Sequence, residues 1–299
     1  MDFLTSKSAD VSEITNTALD SHPDARSPDK PIIIEPSQAW AAFDLRSLWT
    51  YRELVYFLMW RDLKVRYKQT FLGMAWAIMQ PLLTTLIFTI FLGKLARVPS
   101  DDIPYPIFVY AGLLPWTFFA NAFISSGNSV VGNAHLVSKV YFPRIIIPIS
   151  AVGGRLVDFA ISFSIFIGLM AYYGVAVTWN ILMLPALVAL VALFALAVGM
   201  WTSALNVKYR DVGVALPVLI QFWMFASPVV YPSSLVPPRW RWAYAINPLT
   251  GVIDGFRSAL FGREFNWVAL AVSTGITLIL LAYAFYAFRR MEKDFADLI

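Results

Sequence analysis

Long runs without a single Asp, Glu, Lys or Arg dominate the chain and set its architecture. Residues 71–93 form one such run, and residues 103–134 form another. A third begins at Ile145 and is broken only by Arg155 and Asp158. From Phe159 to Val207 there are 49 uncharged residues, too many for the remainder of one span, and the turn-like "GVAVTWN" at 174–180 divides them. Residues 212–238 and 267–288 supply the last two runs. About 20 apolar residues in a helix cross the roughly 30 Å of hydrocarbon in a bilayer. The pattern therefore predicts an all-α integral membrane protein with six transmembrane helices. Their approximate positions are 71–93, 107–129, 145–173, 181–205, 212–231 and 267–288, within a transmembrane domain covering 71–290.

Several other segments have patterns of their own. Within 46–70, Tyr51, Leu54, Val55 and Leu58 fall at helical spacing, while Arg52, Arg61, Lys64 and Lys68 supply a basic side. An amphipathic helix of this kind lies in the headgroup region, and its cations, with Arg66, are candidate contacts to lipid headgroups. It serves either as an anchor for the first span or as a lever on which a cytosolic partner presses. Residues 130–144 contain "NAHLVSKVYFPR", a polar and basic island between two apolar runs that closes on an aromatic–Pro–Arg turn. Residues 231–265 are too apolar for a solvated loop. There Asn247 suits a helix cap, Pro248 a first helical position and Gly262 a helix end. Two helices too short to span are expected, as a re-entrant hairpin that borders a shielded cavity or caps the bundle. Residues 1–45 read as a disordered or extended tail ending in "PIIIEP", without the basic-then-apolar order of a secretory signal. Residues 291–299 form a short C-terminal segment.

Charge gives the expected orientation. Just before the first span stand Arg52, Arg61, Lys64, Arg66 and Lys68; Lys139, Arg144, Lys208, Arg210, Arg289, Arg290 and Lys293 share their side, making twelve. The other side has six: Lys94, Arg97, Arg239, Arg241, Arg257 and Arg263. The positive-inside rule then puts both termini and the 130–144 island in the cytoplasm. This distribution explains the net charge of +4 without nucleic acid. Charged residues make up only 14% of the chain, against roughly 25% in ordinary globular proteins, which assigns most of it to lipid.

Candidate chemistry inside the spans is sparse. Arg155 and Asp158 are three apart, on one helical face, and read as an intramembrane ion pair near the cytoplasmic rim. Trp116, Phe118, Phe119, Trp223, Phe225 and Tyr231 lie in or at the ends of spans beside small and polar residues, where rings could pack the core or line a channel and stack on sugars. The two histidines, His22 and His135, are far apart; cysteine is absent; and no phosphate-cradling GxxxxGK[ST] occurs. These absences point to a conduit without a catalytic centre or fuel site. The island at 130–144 would then receive force from outside, with Leu136, Val140 and Tyr141 entering a partner's groove and Lys139 and Arg144 on its rim.

"YRELVYFLMWRDLKVRYKQTFLGMAWAIMQPLL", "FVYAGLLPWTFFANAF", "NAHLVSKVYFPRIIIPIS" and "NVKYRDVGVALPVLIQFWMFASPVVYP", spread in order over about 48–290, resemble the membrane permease subunits of polysaccharide-export ABC transporters. Those are the exporters of O-antigen, capsule and teichoic acid. The resemblance implies a homodimer of six-helix subunits in the bacterial inner membrane, joined by two copies of a nucleotide-binding ATPase subunit. ATP and Mg would bind to that partner, with no cofactor on this chain, and the cargo would be a lipid-linked polysaccharide. It also implies an interface helix, a coupling helix and a re-entrant pair at the three segments described above. The coupling residues would be His135, Leu136, Lys139, Val140, Tyr141, Phe142 and Arg144. A related permease that exports a small hydrophobic compound is the nearest alternative, and the rival classes are an ATP-independent flippase and, last, a polyprenyl-lipid glycosyltransferase. The glycosyltransferase would need a cytosolic carboxylate cluster, whereas Asp62 and Asp211 stand alone in sequence.

Overall fold

The computed structural model describes residues 49–68, 75–293 and 295, and among these no strand occurs. The tail expected at 1–45, the ends of the interface segment at 46–48 and 69–70, the start of the first span and most of the C-terminal segment lie outside the described residues.

Helix α1, Arg52–Lys68, is the surface helix expected from its spacing. Tyr51, Leu54, Val55 and Leu58 pack inward, and Leu58 is fully buried. Helix α2, Ala75–Phe88, continues as a π-helical stretch, Thr89–Leu95, and its apolar side chains mostly face outward. Helix α3, Tyr105–Gly127, is the axis of the bundle and is buried along nearly its whole length. Two short helices follow, α4 (Ser129–Gly132) and α5 (Ala134–Lys139). Helix α6, Ile146–Tyr173, stops where Gly174 takes a left-handed φ of 66°, which glycine adopts without a Cβ penalty. A 3-10 turn, Trp179–Met183, leads into α7, Leu184–Lys208.

Helix α3 packs between α6 and α7. Close approach there depends on small residues, as in membrane bundles generally. A Cβ placed on Gly199 of α7 would stand 2.5 Å from Ser126 of α3. One on Gly112 would run into the Val229 carbonyl oxygen.

Among the described residues, five helical stretches are long and apolar enough to cross a membrane: Ile78–Leu95, Tyr105–Gly127, Ile146–Tyr173, Trp179–Lys208 and Trp267–Glu292. The segment expected as a span at 212–231 holds α8, Asp211–Phe225, of only 15 residues. At 1.5 Å per residue it reaches about 22 Å. The chain then turns through residues 226–231, although those residues remain uncharged. Two short helices, α9 (Arg241–Ala245) and α10 (Pro248–Phe261), occupy the segment expected as a hairpin. Asn247 caps α10 by accepting from the Leu249 N–H, Pro248 opens it, and Gly262 closes it at φ 67°. Almost every residue of α10 is buried, against α3, α7 and the last helix, α11 (Trp267–Glu292).

The apolar interior divides into two clusters. The larger runs along α3 and includes α10. The smaller lies at one end and gathers Leu58, Val130, Val137, Phe142, Ile145, Met200, Phe288 and Phe295. That end carries the island of interest.

Candidate functional site

The connector between α3 and α6 is built on the smaller cluster. Asn133 joins its two short helices: its Nδ2 donates to the Ser129 carbonyl at 2.8 Å, and its Oδ1 accepts from Arg61 of α1 at 2.6 Å. Beyond Lys139 the backbone extends at Val140 (φ −125°, ψ 133°) and then bends at Phe142. Tyr141 is 94% exposed and Val140 52%, while Phe142 is only 7% exposed. His135 and Lys139 also face out, Leu136 is half-buried, and Val137 plugs into the cluster below. Two of the residues grouped with the partner-facing set on sequence therefore face the protein itself. Phe142 turns into the smaller apolar cluster. Arg144 is held by the end of α11, where its N–H donates to Glu292 Oε1 at 3.1 Å and its guanidinium donates to the Glu292 carbonyl. Between the connector and the turn joining α7 to α8 opens a cavity of about 340 Å³, with Asn128, Asn206 and Arg210 on its wall.

Helix α1 is tied to the bundle by charge as well as by Leu58. Arg66 Nη1 lies 2.5 Å from Asp158 Oδ2, and Tyr67 OH donates to Asp158 Oδ1. Arg155 Nη1 stands 3.3 Å from the same carboxylate, and its Nε and Nη2 donate to Ser125 Oγ at 2.9 and 2.6 Å. One carboxylate thus joins α1, α3 and α6. The pair expected from the i, i+3 spacing is present, but its second arginine, 92 residues away in sequence, was invisible to local pattern. An isolated charge in a membrane helix costs roughly 2.5–3.5 kcal/mol on insertion scales, and this mutual pairing reduces that cost. Burial pushes the Tyr67 phenol up to about 12, with the hydrogen bond to Asp158 acting in the same direction. Of the five candidate headgroup cations, Arg52, Lys64 and Lys68 are exposed, whereas Arg61 and Arg66 turn into the protein. Exposed Tyr56, Phe57 and Trp60 give α1 an outward aromatic side, with exposed Trp49 just before it.

The six candidate channel aromatics separate into two groups. Phe119 is fully buried, stacked on Phe194 at 5.1 Å and on Phe123 at 5.9 Å, with Trp223 edge-on at 5.3 Å. Trp116 packs on Phe119, and Phe118 meets Phe159 edge-on. These three rings of α3 are packing residues, enclosed by rings of the neighbouring helices. Phe225, 62% exposed, faces outward, joined on α8 by Phe222, which sequence reading did not single out. Trp223 is half-buried and donates from Nε1 to Asn247 Oδ1 at 3.2 Å. Tyr231 OH donates to the Phe225 carbonyl at 2.8 Å and accepts from Tyr244 OH at 3.0 Å.

A residue that sequence reading counted only as loop charge also proves structural. Arg257 of α10 is buried, with its guanidinium 3.8 Å from the Phe108 ring centroid. It donates to the Val229 carbonyl at 2.8 Å and to that of Tyr231 at 3.4 Å, with Asp254 at 3.9 Å. Asn247 donates to Ala226 and Ser227 in the same turn. The turn after α8 is thus fastened to α10 at two points. A basic residue within an apolar helix, three places after an Asp, was the available sequence signal.

Long apolar helices, a surface helix strapped to them by a carboxylate, and an exposed connector at one end define a multi-pass membrane protein of the permease kind. The profile of the ABC-2 type transporter family matches residues 53–261, and the chain belongs to that family. Among its relatives is the O-antigen export system permease protein RfbA of Myxococcus xanthus, 29% identical over 259 residues, which cover 85% of this chain and 98% of that one. An RfbA of Klebsiella pneumoniae is 27% identical over 243 residues, 80% of this chain and 92% of its own. The polysialic acid transport protein KpsM of Escherichia coli is 26% identical over 243 residues, 79% and 92% of the two chains.

Proposed function

We propose that this chain is the channel-forming permease of an ATP-driven exporter that moves a lipid-linked cell-surface polysaccharide from the cytoplasmic to the outer side of the bacterial inner membrane. Two copies form the conduit, and two copies of a separate ATPase subunit, which binds ATP and Mg, supply the work. The polysaccharide class is supported by similarity to permeases named for O-antigen export and polysialic acid transport, covering most of this chain and of theirs.

One observation carries the mechanism: a short connector rooted in a buried cluster presents Tyr141, 94% exposed, with Val140 beside it. An exposed aromatic on a rigid base suits an anchor that fills a groove on a partner. Displacement at that anchor would pass inward through Val137 and Phe142 to the ends of α7 and α11, which share their cluster. Exposed Arg52, Lys64 and Lys68 on α1 offer positive charge to the diphosphate of a lipid-linked glycan at the cytoplasmic surface. The exposed rings Phe222 and Phe225 offer stacking surfaces that a polymer can slide along, since ring–sugar stacking requires no fixed hydrogen bonds.

The test is Val140→Ser with Tyr141→Ala in the reconstituted permease–ATPase complex. Phe142 is left intact, since emptying a buried Phe site costs about 3–5 kcal/mol and would confuse folding with coupling. The double variant is expected to insert and remain stable but to lose at least about tenfold in export, the loss of one anchor side chain at an interface amounting to some 2 kcal/mol. Undiminished export would overturn the role given to the connector.

A further inference from the structure

The connector has two roots in the bundle. At its start, Asn133 Oδ1 accepts from Arg61 of α1. At its end, Arg144 is gripped by the last turn of α11. Its N–H donates to Glu292 Oε1 at 3.1 Å, its guanidinium donates to the Glu292 carbonyl, and the same guanidinium lies 5.9 Å from the Phe295 ring centroid. Phe295 packs edge-on against Phe288 at 5.4 Å, and both rings are buried in the cluster that holds Phe142. A charge-assisted bond, a cation over an aromatic face and a shared apolar base converge on one short stretch of backbone.

The other end of α11 leads away from this knot. The helix has 26 residues, a rod of about 39 Å at 1.5 Å per residue. Its first turns pack on α10, where a Cβ on Gly251 would meet the Ser273 hydroxyl and lie 2.6 Å from the Ala269 carbonyl oxygen. Helix α10 in turn holds the turn after α8 through Asn247 and Arg257. A continuous path of packed elements therefore joins Arg144 to the turn at 226–231.

We propose that the Arg144–Glu292–Phe295 knot is a second output of the connector: it carries the connector's displacement into α11 and, along that rod, to α10 and the turn after α8. Arg144, Glu292 and Phe295 are positioning residues in this scheme. The inference rests on the partner-driven reading above, and two independent distances separate its failure from the failure of that reading.

The chain contains no cysteine, so introduced thiols are the only ones it offers, and it is labelled before assembly with the ATPase. Gly132 has no atom within 4 Å of where a Cβ would stand, and Arg290 and Val177 are exposed. Spin labels at Gly132→Cys with Arg290→Cys, and at each of these with Val177→Cys, are measured in the assembled complex without nucleotide and with ATP. The 132–290 distance is expected to stay constant while the 132–177 and 290–177 distances shift together. Glu292→Ala with Phe295→Ala should let the 132–290 distance change on ATP addition and lower export per ATP hydrolysed by about fivefold. Glu292→Gln, which keeps an acceptor for the Arg144 N–H, should behave as the parent. A label at 132 that moves while 290 stays still overturns the inference alone, as does an unaltered export ratio in the double Ala variant. A label at 132 that does not move in an assembled complex overturns the partner-driven reading, and the inference falls with it.

Discussion

Asp158 shows how one side chain decides the behaviour of several others. Its carboxylate receives Arg66, Arg155 and Tyr67 from two helices, and Ser125 of a third helix holds Arg155 in place. Tyr67 reports on this network because its phenol is pushed up from an ordinary value of 10.0 to about 12. A raised value for an acid that is neutral when protonated favours the folded state at low pH. The contribution is complete below pH 10 and is lost as pH rises through about 12. Subtracting the ultraviolet titration of Tyr67→Phe from that of the parent isolates one tyrosinate, expected to form near pH 12. Asp158→Asn should bring it only part of the way back toward 10, because burial is the larger cause and the Asp158 hydrogen bond the smaller. A difference curve centred at pH 10 in the parent would mean that Tyr67 is solvated and that α1 is not docked through it.

Among the elements, those fixed by local chemistry were legible and those fixed by distant partners were not. Charge-free runs located α3, α6, α7 and α11 to within a few residues, because lipid imposes a length on any helix that crosses it. Asn247, Pro248 and Gly262 marked both ends of α10 by capping rules that act within a turn. The end of α8 escaped the same reasoning: residues 226–230 stay uncharged after the helix stops, and the turn is held by Asn247 and Arg257 from α10. The inward face of Phe142 and the grip on Arg144 were hidden for a related reason, since Glu292 lies 148 residues further along the chain. Helix contact surfaces, which rest on small residues in the structure, were not legible in the sequence. Gly199 illustrates their strength: an added Cβ would meet Ser126 at 2.5 Å and the Phe123 carbonyl at 3.5 Å. Ser126 is fully buried, so it has nowhere to retreat. Gly199→Ala is expected to destabilise the protein by about 1–3 kcal/mol, the usual range for overpacking, read as a lower melting temperature in detergent. Ser126→Gly in the same chain should recover part of the loss; an unchanged melting temperature for Gly199→Ala alone would mean that α3 and α7 stand further apart.

At the scale of the whole molecule, the two ends are built for different tasks, and the difference can be tested as topology. One end combines an aromatic and basic surface helix, a projecting Tyr141 and the knot around Phe295. The other closes on itself: Arg263 pairs with Asp101 at 3.5 Å and donates to its carbonyl, Asn180 donates to the Arg263 carbonyl at 2.9 Å, and Tyr105 donates to that of Val230 at 2.8 Å. An end that receives force needs an exposed handle, and an end that retains a barrier needs short-range closure. By the positive-inside rule, the excess of Lys and Arg beside the handle predicts that this end faces the cytoplasm. Because the chain lacks cysteine, Tyr141→Cys and Val177→Cys each place a single thiol at opposite ends. A membrane-impermeant maleimide added to cells with an opened outer membrane but a sealed inner one should label Val177→Cys at once. It should reach Tyr141→Cys only after the inner membrane is permeabilised. Both positions are well exposed, so a difference in rate reads as sidedness and not as burial. Labelling of Tyr141→Cys from outside in sealed cells would reverse the orientation and leave a cytoplasmic ATPase with no handle to grip.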